Sequence, residues 1–246
     1  MKYLENTLKE FQLPCNDLIL RQFETYRKRI LEYNEVVNLT AIKEEEDFEL
    51  RHFVDSLMIC QREEMREVKK VIDVGTGAGF PGIPLAIVYP DKQFTLMDSL
   101  GKRMKIVKEI AEEIGLKNVE VIHARAEELG HKKEYRESYD LCVSRAVANL
   151  AVLSEYCLPF VKTDGWFAPY KTAHAKEEID QAQKAISLLG GQLEFQTSFC
   201  SLGCSSGIVD EKKEELEHCI LWIKKREKTK AKYPRRAGIP SKEPLK

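Results

Sequence analysis

Hydrophobic residues in the first 65 positions recur every three or four residues, which is the period of an amphipathic helix. In "NDLILRQFETYRKRILEYNEVV" Phe23 and Ile30 fall on one face of such a helix. Asn16 and Asp17 stand where a helix N-cap is expected. The stretch "EEEDFELRHFVDSLMIC" resumes the period after a break at "NLTAIK". The pattern predicts an N-terminal helical extension over residues 1–65.

From Lys69 onwards the period changes, and short β-rich runs such as "KKVIDVG" and "QFTLMDS" alternate with helical runs. This alternation predicts βαβ units and a mainly parallel sheet. The last two predicted strands, "GQLEFQTSFCSL" and "HCILWIKKR", have no helix between them, so they should form an antiparallel hairpin around "GCSSGIVDEKKEE". We therefore expect a Rossmann-like α/β domain at 66–226, with seven strands and an antiparallel end. A basic C-terminal arm would follow at 227–246.

Composition supports a packed core, because 43% of the residues are hydrophobic and 32% are charged. No apolar run approaches the roughly 18 residues of a membrane span, and the N-terminus has no signal-peptide pattern, so we expect a cytoplasmic protein with no membrane partner. The net charge of −1 is uneven, since residues 224–246 contain ten Lys or Arg and two Glu. A polyanionic partner would therefore meet local basic patches on an acidic body.

Seven cysteines are scattered along the chain without a C-x-x-C pair, which is typical of reduced, mostly buried thiols. One group could in principle offer zinc ligands: Cys200, Cys204, His218 and Cys219. Their spacing fits no common zinc pattern, and hairpin packing accounts for them. We expect no metal site.

The stretch "VIDVGTGAGFPGIPLAI" places three glycines, Gly75, Gly77 and Gly79, directly after the first strand of the sheet. Ligands of open α/β sheets bind at the carboxyl ends of the strands, where glycine permits close approach to the backbone. In a dinucleotide-binding loop the third glycine comes three residues after the second, and the helix start has free amides. Here the third glycine comes two residues after the second, and Pro81 and Pro84 follow. No G-K-[ST] follows either. A nucleoside without phosphate, S-adenosylmethionine, fits better than a dinucleotide.

The ends of the next two strands offer further contacts to such a nucleoside. Asp98 ends the second strand and can accept hydrogen bonds from both ribose hydroxyls. Alternatively, Asp98 forms a charge pair with Lys102 or Arg103. Ala126 and Glu127 follow the third strand and suit the adenine, although Glu127 could equally be an acid placed at a helix N-terminus.

Several segments together resemble the GidB/RsmG family of bacterial 16S ribosomal RNA (guanine-N7) methyltransferases. They are "YNEVVNLTAI", "RHFVDSL", "DVGTGAGFPGIPLAI", "MDSLGKR", "RAEEL", "YDLCVSRAVANLAVLSEYCLPFV" and "KYPRRAGIP". The resemblance implies a class I S-adenosylmethionine-dependent methyltransferase fold, with the cofactor held by Gly75, Phe80, Ala126, Glu127 and Arg145. It also implies methylation at N7 of guanine 527, in the decoding-region loop of 16S rRNA or of a small-subunit precursor.

The sequence agrees with chemistry that needs no general base. Guanine N7 has a free lone pair and no proton to remove, so alignment of two reactants can suffice. The motif [ND]-P-P-[YF] of exocyclic-amine methylation is absent after the fourth strand, and Cys142 lies inside an apolar strand. His52, His123, His131, His174 and His218 show no evident pairing with a carboxylate. We expect no required catalytic acid or base.

Arg145 ends the fourth strand, beside the expected path of the methyl group. It could bind the carboxylate of the cofactor or orient guanine through O6, because arginine often contacts that edge of the base. A structural ion pair at the end of the strand is the alternative. The resemblance favours the cofactor.

Basic residues for RNA contact are less clearly marked than the cofactor residues. The arm offers the best candidates, which are Lys230, Lys232, Arg235 and Arg236. Further candidates are Arg27, Lys28, Arg29, Arg51, Lys102 and Arg103. Solvated surface charges are the alternative in each case.

Two other classes of function remain open from the residues alone. One is a small-molecule or protein methyltransferase on the same fold, which the basic arm disfavours. The other is an NAD-binding oxidoreductase or an inactive binding module, which the glycine spacing disfavours. The sequence says nothing about oligomeric state.

Overall fold

The computed structural model describes residues 1–145, 147–172, 176–200 and 217–245. The chain begins with helices α1 (Lys2–Glu10) and α2 (Asp17–Asn34). The start of α2 is capped as the sequence predicts, because the Asn16 side chain accepts a hydrogen bond of 3.1 Å from the Ile19 amide.

A second helical segment follows α2 and changes its hydrogen-bond pattern along its length. It consists of α3 (Glu45–Phe48), a π-helical turn (Glu49–Val54), α4 (Asp55–Leu57), a 3-10 turn (Met58–Gln61) and the short α5 (Glu64–Glu67). The π turn carries Arg51 and His52. Single π turns within helices are common at functional sites, and both residues border cavities described below.

The sheet has seven strands in the order β3-β2-β1-β4-β5-β7-β6. They are β1 (Lys70–Val74), β2 (Gln93–Asp98), β3 (Val119–His123), β4 (Tyr139–Arg145), β5 (Val161–Thr172), β6 (Gly191–Cys200) and β7 (Glu217–Lys225). Strands β1 to β5 are parallel, and β7 pairs antiparallel with both β5 and β6. The predicted seven-stranded sheet with an antiparallel end is confirmed. Residues 201–216, which include the whole predicted hairpin turn, lie outside the described residues.

Helices cover both faces of this sheet. They are α6 (Gly82–Val88), α7 (Gly101–Glu113), α8 (Ala126–Leu129), α9 (Leu150–Cys157), α10 (Lys176–Leu188) and, in the arm, α11 (Ile239–Lys242). One core cluster joins Phe23 and Phe53 to Leu96, and the other joins Leu153 to Leu221. Four of the five residues of β1 are buried, as expected for a central strand covered on both faces. No helix in the described residues is both long enough and apolar enough to cross a membrane.

The C-terminal arm (227–246) packs against the body of the protein. Arg136 donates hydrogen bonds to the carbonyls of Thr229 and Tyr233, at 2.7 and 2.9 Å. Arg235 forms an ion pair with Glu155 of α9, whose side chain is completely buried. These contacts fix the described part of the arm beside α8 and α9.

The N-terminal helices contact the glycine loop that follows β1. The buried hydroxyl of Tyr26 in α2 donates a 2.9 Å hydrogen bond to the carbonyl of Ala78. The Tyr26 ring also packs 5.2 Å from that of Phe80. Helix α2 therefore holds the loop in place from behind.

Candidate functional site

The glycine loop forms one wall of a cavity of about 440 Å³ at the carboxyl ends of β1, β2 and β4. Gly75 and Gly77 have φ angles of +73° and +61°, a region that L side chains rarely adopt. A Cβ on Gly75 would lie 2.4 Å from the Val147 side chain, whereas a Cβ on Gly77 would meet nothing within 4 Å. The backbone at Gly77 therefore faces open space that a ligand can fill.

Gly79 departs from the expectation that it contacts the cofactor, because it is not among the residues that line the cavity. Its φ is +105°, and a Cβ there would lie 2.8 Å from the Tyr26 hydroxyl and 2.7 Å from Ile83. Glycine is needed at this position for packing against α2 and α6, behind the loop.

The start of α6 is already satisfied by a buried carboxylate, that of Asp73. Its Oδ2 accepts hydrogen bonds from the Thr76 hydroxyl, at 2.6 Å, and from the Gly82 amide, at 2.9 Å. Pro81 and Pro84 contribute no amide donors. The helix start therefore presents few free donors to a pyrophosphate, which supports the reading of the loop as a site for a nucleoside without phosphate.

Asp73 should make the stability of the protein depend on pH. Burial raises its pKa from 3.8 to about 7, although the hydrogen bonds from Thr76 and Gly82 oppose this shift. Between pH values of about 4 and about 7, Asp73 binds more protons in the folded state than in the unfolded state. The contribution of Asp73 to the unfolding free energy therefore falls as pH rises through this range. Urea denaturation measures the unfolding free energies of wild type and of Asp73→Asn. The value for wild type minus the value for Asp73→Asn should decrease as pH rises across this range. A constant difference would contradict the expectation.

Asp98 ends β2 and lines the cavity. Its Oδ2 accepts from the Gly77 amide at 3.1 Å, and its Oδ1 accepts from the Leu100 amide at 2.9 Å. Each oxygen keeps a further lone pair for a ligand. Arg103 donates to the carbonyl of Asn38 instead of to Asp98. The structure thus favours ligand contact over the alternative charge pair.

Ala126 and Glu127 begin α8 and line the same cavity, as the sequence predicts. Glu127 also accepts a 2.9 Å hydrogen bond from the amide of Gly238 in the arm. Tyr156 of α9 adds an aromatic wall that the sequence did not indicate. The arm therefore supports this end of the cavity.

Three side chains stack at the opposite end of the cavity. The rings of His52 and Phe80 are parallel within 9° at 4.4 Å, and the guanidinium of Arg145 lies 5.2 Å from the Phe80 ring. Burial and the neighbouring charge of Arg145 lower the pKa of His52 to about 3, so this imidazole is neutral at pH 7. Arg145 Nη2 donates to Nδ1 of His52. Nε2 of His52 therefore carries the hydrogen and donates to the Thr40 hydroxyl at 2.8 Å.

Asp55 connects two basic side chains from different strands, β4 and β7. Its Oδ2 accepts from Arg145 at 2.6 Å, and its Oδ1 lies 2.5 Å from Nδ1 of His218. Burial alone would raise the pKa of Asp55, but the hydrogen bond from His218 and the charge of Arg145 outweigh it and lower that pKa. His218 therefore has a carboxylate partner that the sequence did not indicate. Arg145 also has the structural ion pair that stood as the alternative.

A second cavity of about 670 Å³ adjoins the first and shares His52 and Arg145 with it. Its other walls include Asp55, Tyr170, Lys171, Glu178 and His218. Arg145 also donates to the carbonyl of Arg51 at 3.0 Å, so its guanidinium is fixed between the two cavities. The site thus has one compartment at the glycine loop and another beyond Arg145.

The structure divides the predicted RNA-contacting residues into two groups. Lys230, Lys232 and Arg236 are exposed, as the prediction requires. Arg235 does not fit it, since three of its donors bond Glu155 and a fourth bonds the Glu243 carbonyl.

The basic cluster on α2 is likewise occupied by acidic partners. Each of its members, Arg27, Lys28 and Arg29, has a glutamate oxygen within 4.0 Å. These ion pairs make the cluster a weaker candidate for phosphate contact than the exposed residues of the arm.

Two of the cysteines, Cys142 and Cys219, can be compared with the expectation that the thiols are packed in the core. Cys142 is buried, and burial raises its thiol pKa well above the ordinary value, as expected for a core residue. Cys219 donates to the carbonyl of Thr172. In the described parts of the chain, no three His, Cys, Asp or Glu side chains lie close enough to hold a metal ion. Cys204 and His174 lie outside those parts.

Comparisons with known proteins agree with these features. A family model described as GidB, rRNA small subunit methyltransferase G, matches residues 19–204. A ribosomal RNA small subunit methyltransferase G from Alkaliphilus metalliredigens is 45% identical over 99% of this chain and 98% of its own length. The corresponding protein of Clostridium tetani is 42% identical over 94% of this chain and 96% of its own length.

Among solved structures, the chain resembles an O-methyltransferase from Bacillus cereus in complex with SAH. The TM-score is 0.56 at 14% identity, covering 90% of this chain and 96% of that one. A likeness at this identity identifies the fold as that of class I methyltransferases.

Proposed function

Because the chain belongs to the GidB family of rRNA small subunit methyltransferases G, we propose that it transfers a methyl group from S-adenosylmethionine to N7 of a guanine in 16S rRNA. The proposed acceptor is guanine 527 in the decoding-region loop, in free 16S rRNA or in a precursor of the small ribosomal subunit. The Arg145 guanidinium would lie between the donor and acceptor compartments.

The observation that carries the proposal is the cavity at the glycine loop. Asp98 lines it, where its carboxylate would meet the ribose, and Gly77 leaves open space against the backbone. The nearby helix start is occupied by Asp73. These features suit a nucleoside attached to an amino acid, and the volume of about 440 Å³ lies within the ordinary range of ligand cavities.

The residues of this cavity have distinct proposed roles toward S-adenosylmethionine. Asp98 would accept hydrogen bonds from the ribose, with its carboxylate already oriented by the Gly77 and Leu100 amides. Ala126 and Glu127 would contact the adenine. The backbone at Gly75 and Gly77 would lie against the amino-acid portion, near Phe80 and Arg145 at the opposite end.

The chemistry that this arrangement needs is alignment. The bound cofactor supplies an electrophilic methyl group on a sulfonium. The N7 lone pair of guanine forms the new bond to the methyl carbon while the carbon–sulfur bond breaks and its electron pair stays on sulfur. No proton is removed, so the neutral His52 and the engaged Asp55 need not act as a base. Holding two reactants in line can lower the barrier by roughly 7–11 kcal/mol.

RNA contact through the arm should make binding depend on salt. Replacing Lys230, Lys232 and Arg236 with alanine should weaken binding of 16S rRNA and reduce the slope of log K against log salt by about two to three. Replacing Lys105 and Lys108, whose ammonium groups lie near Glu109 and Glu112, should leave that slope unchanged. Filter binding at four salt concentrations measures both. Equal slopes for the two variants would contradict a phosphate-binding role for the arm.

Mass mapping of methylated nucleosides tests the proposed reaction directly. Purified protein, S-adenosylmethionine and unmodified 16S rRNA or small-subunit particles should yield 7-methylguanosine at a single position. Methylation of a different nucleoside, or of small molecules or proteins in place of RNA, would overturn the proposal.

A further inference from the structure

The second cavity holds polar side chains whose hydrogen-bonding groups are largely paired with one another. Lys171 Nζ donates to Glu178 Oε1 at 2.6 Å, and the Tyr170 hydroxyl donates to the Ser56 carbonyl at 2.8 Å. Arg145 is bound to Asp55. His218 uses Nδ1 for Asp55, and among the described residues no hydrogen bond to its Nε2 is formed. His218 lines this cavity, and its Nε2 is the ring nitrogen that none of the described residues engages.

Asp55 fixes which ring nitrogen of His218 carries the hydrogen. An ionised carboxylate only accepts hydrogen bonds, so Nδ1 is the donor in the contact with Asp55 Oδ1. When the ring carries a single hydrogen, on Nδ1, Nε2 has a lone pair. With that tautomer the dyad of Asp55 and His218 has a hydrogen-bond acceptor at Nε2, and both residues line the cavity.

From this arrangement we propose that Nε2 of His218 accepts a hydrogen bond from N1–H of the target guanine in the second cavity, with Asp55 as the positioning residue. The inference rests on the proposed methylation of guanine N7. N7 and N1–H lie on neighbouring edges of the base. Arg145, at the boundary with the cofactor compartment, and His218 are neighbouring residues joined through Asp55. A base whose N7 points past Arg145 toward the cofactor can therefore direct N1–H to His218.

This hydrogen bond would strengthen during the reaction. As N7 forms its bond to the methyl carbon, the positive charge passes from the sulfonium to the base. A cationic base is a stronger donor at N1, so an acceptor there stabilises the transition state more than the ground state. The contribution should therefore appear in kcat more than in KM.

The test combines His218 variants with an altered acceptor base. His218→Ala should lower kcat roughly ten- to a hundredfold, with KM for RNA and Kd for S-adenosylmethionine close to wild type. His218→Gln, which can place an amide oxygen near the position of Nε2, should recover part of the loss. Phe199→Leu alters a ring 6.0 Å from that of His218 but outside both cavities, and serves as the packing control.

RNA carrying 2-aminopurine at the target position removes N1–H and O6 while keeping N7. The kcat of wild type should be at least tenfold higher with guanine than with this base. His218→Ala should lose much of that preference, as a double-mutant cycle requires for a direct contact. Unchanged kcat in His218→Ala, or an unchanged preference, would overturn the inference. A preference lost in Glu178→Gln and kept in His218→Ala would assign the contact to Glu178 instead.

Failure of the inference is distinct from failure of the proposed function. If wild type forms 7-methylguanosine and the His218 variants behave like wild type, the dyad has no role toward the base. If wild type forms no 7-methylguanosine, the proposed function itself is wrong, and this inference with it.

Discussion

Asp98→Ala should weaken binding of S-adenosylmethionine on the order of a hundredfold. Asp98 lines the cavity, and the two proposed hydrogen bonds from ribose hydroxyls to its carboxylate would contribute about 1.5–3 kcal/mol each. At about 1.4 kcal/mol per tenfold change, a loss of about 3 kcal/mol gives this factor. Isothermal titration calorimetry measures the affinity. The substitution also removes the acceptor of the Gly77 amide, so the shape of the loop should change with it.

Two variants control the Asp98 experiment. Asp98→Asn keeps one oxygen acceptor and should give an intermediate affinity. Glu128→Ala removes an exposed carboxylate of α8 that is not part of the cavity, and should bind like wild type. The ribose role of Asp98 would be refuted by an affinity within threefold of wild type in Asp98→Ala, provided that its melting temperature is unchanged.

Arg235→Ala should lower the free energy of unfolding by about 3–5 kcal/mol, as is typical when one partner of a buried ion pair is removed. Glu155 is completely buried and would lose the Nε and Nη2 donors of Arg235. For a chain of this size, each kcal/mol lowers the melting temperature by roughly 2–4 °C. Urea denaturation and thermal melting should both show the loss.

The neighbouring arginine is a matched control for Arg235→Ala. Arg236 is exposed, so Arg236→Ala should change stability by no more than about 0.5 kcal/mol while weakening RNA binding. Adding Glu155→Gln to Arg235→Ala should restore part of the stability, because it removes the unpaired buried charge. A wild-type denaturation midpoint for Arg235→Ala would show that the ion pair does not hold the arm.

Features set by local sequence could be predicted. The change of hydrophobic period at Lys69 separated the helical extension from the sheet, and the two final strands without a helix between them predicted the antiparallel end. The cap at Asn16 follows from one side chain and the next three residues. Asp98 could be placed on the cavity wall, because the carboxyl ends of parallel strands share one edge of the sheet.

Features that depend on contacts between distant residues could not be predicted. Asp55 and His218 are 163 positions apart, and Arg235 and Glu155 are 80 apart. Periodicity indicates that a position is buried, but not which partner satisfies a charge there. The available hints were an acid within the apolar run "HFVDSLMIC" and a histidine that opens an apolar strand. Gly79 looked like its neighbours in the loop because the chain pattern does not show that α2 packs behind it.

The hydrogen bond from Tyr26 to the Ala78 carbonyl couples the N-terminal helices to the ligand energetically. Opening of α2 breaks that bond and removes the support behind Gly79. A ligand that binds only the ordered loop therefore shifts the equilibrium between open and closed α2 toward the closed form. The shift grows with the ratio of the ligand concentration to its Kd. Amide hydrogens in α2, which lie outside the cavity, should exchange more slowly with solvent deuterium once the cofactor is bound.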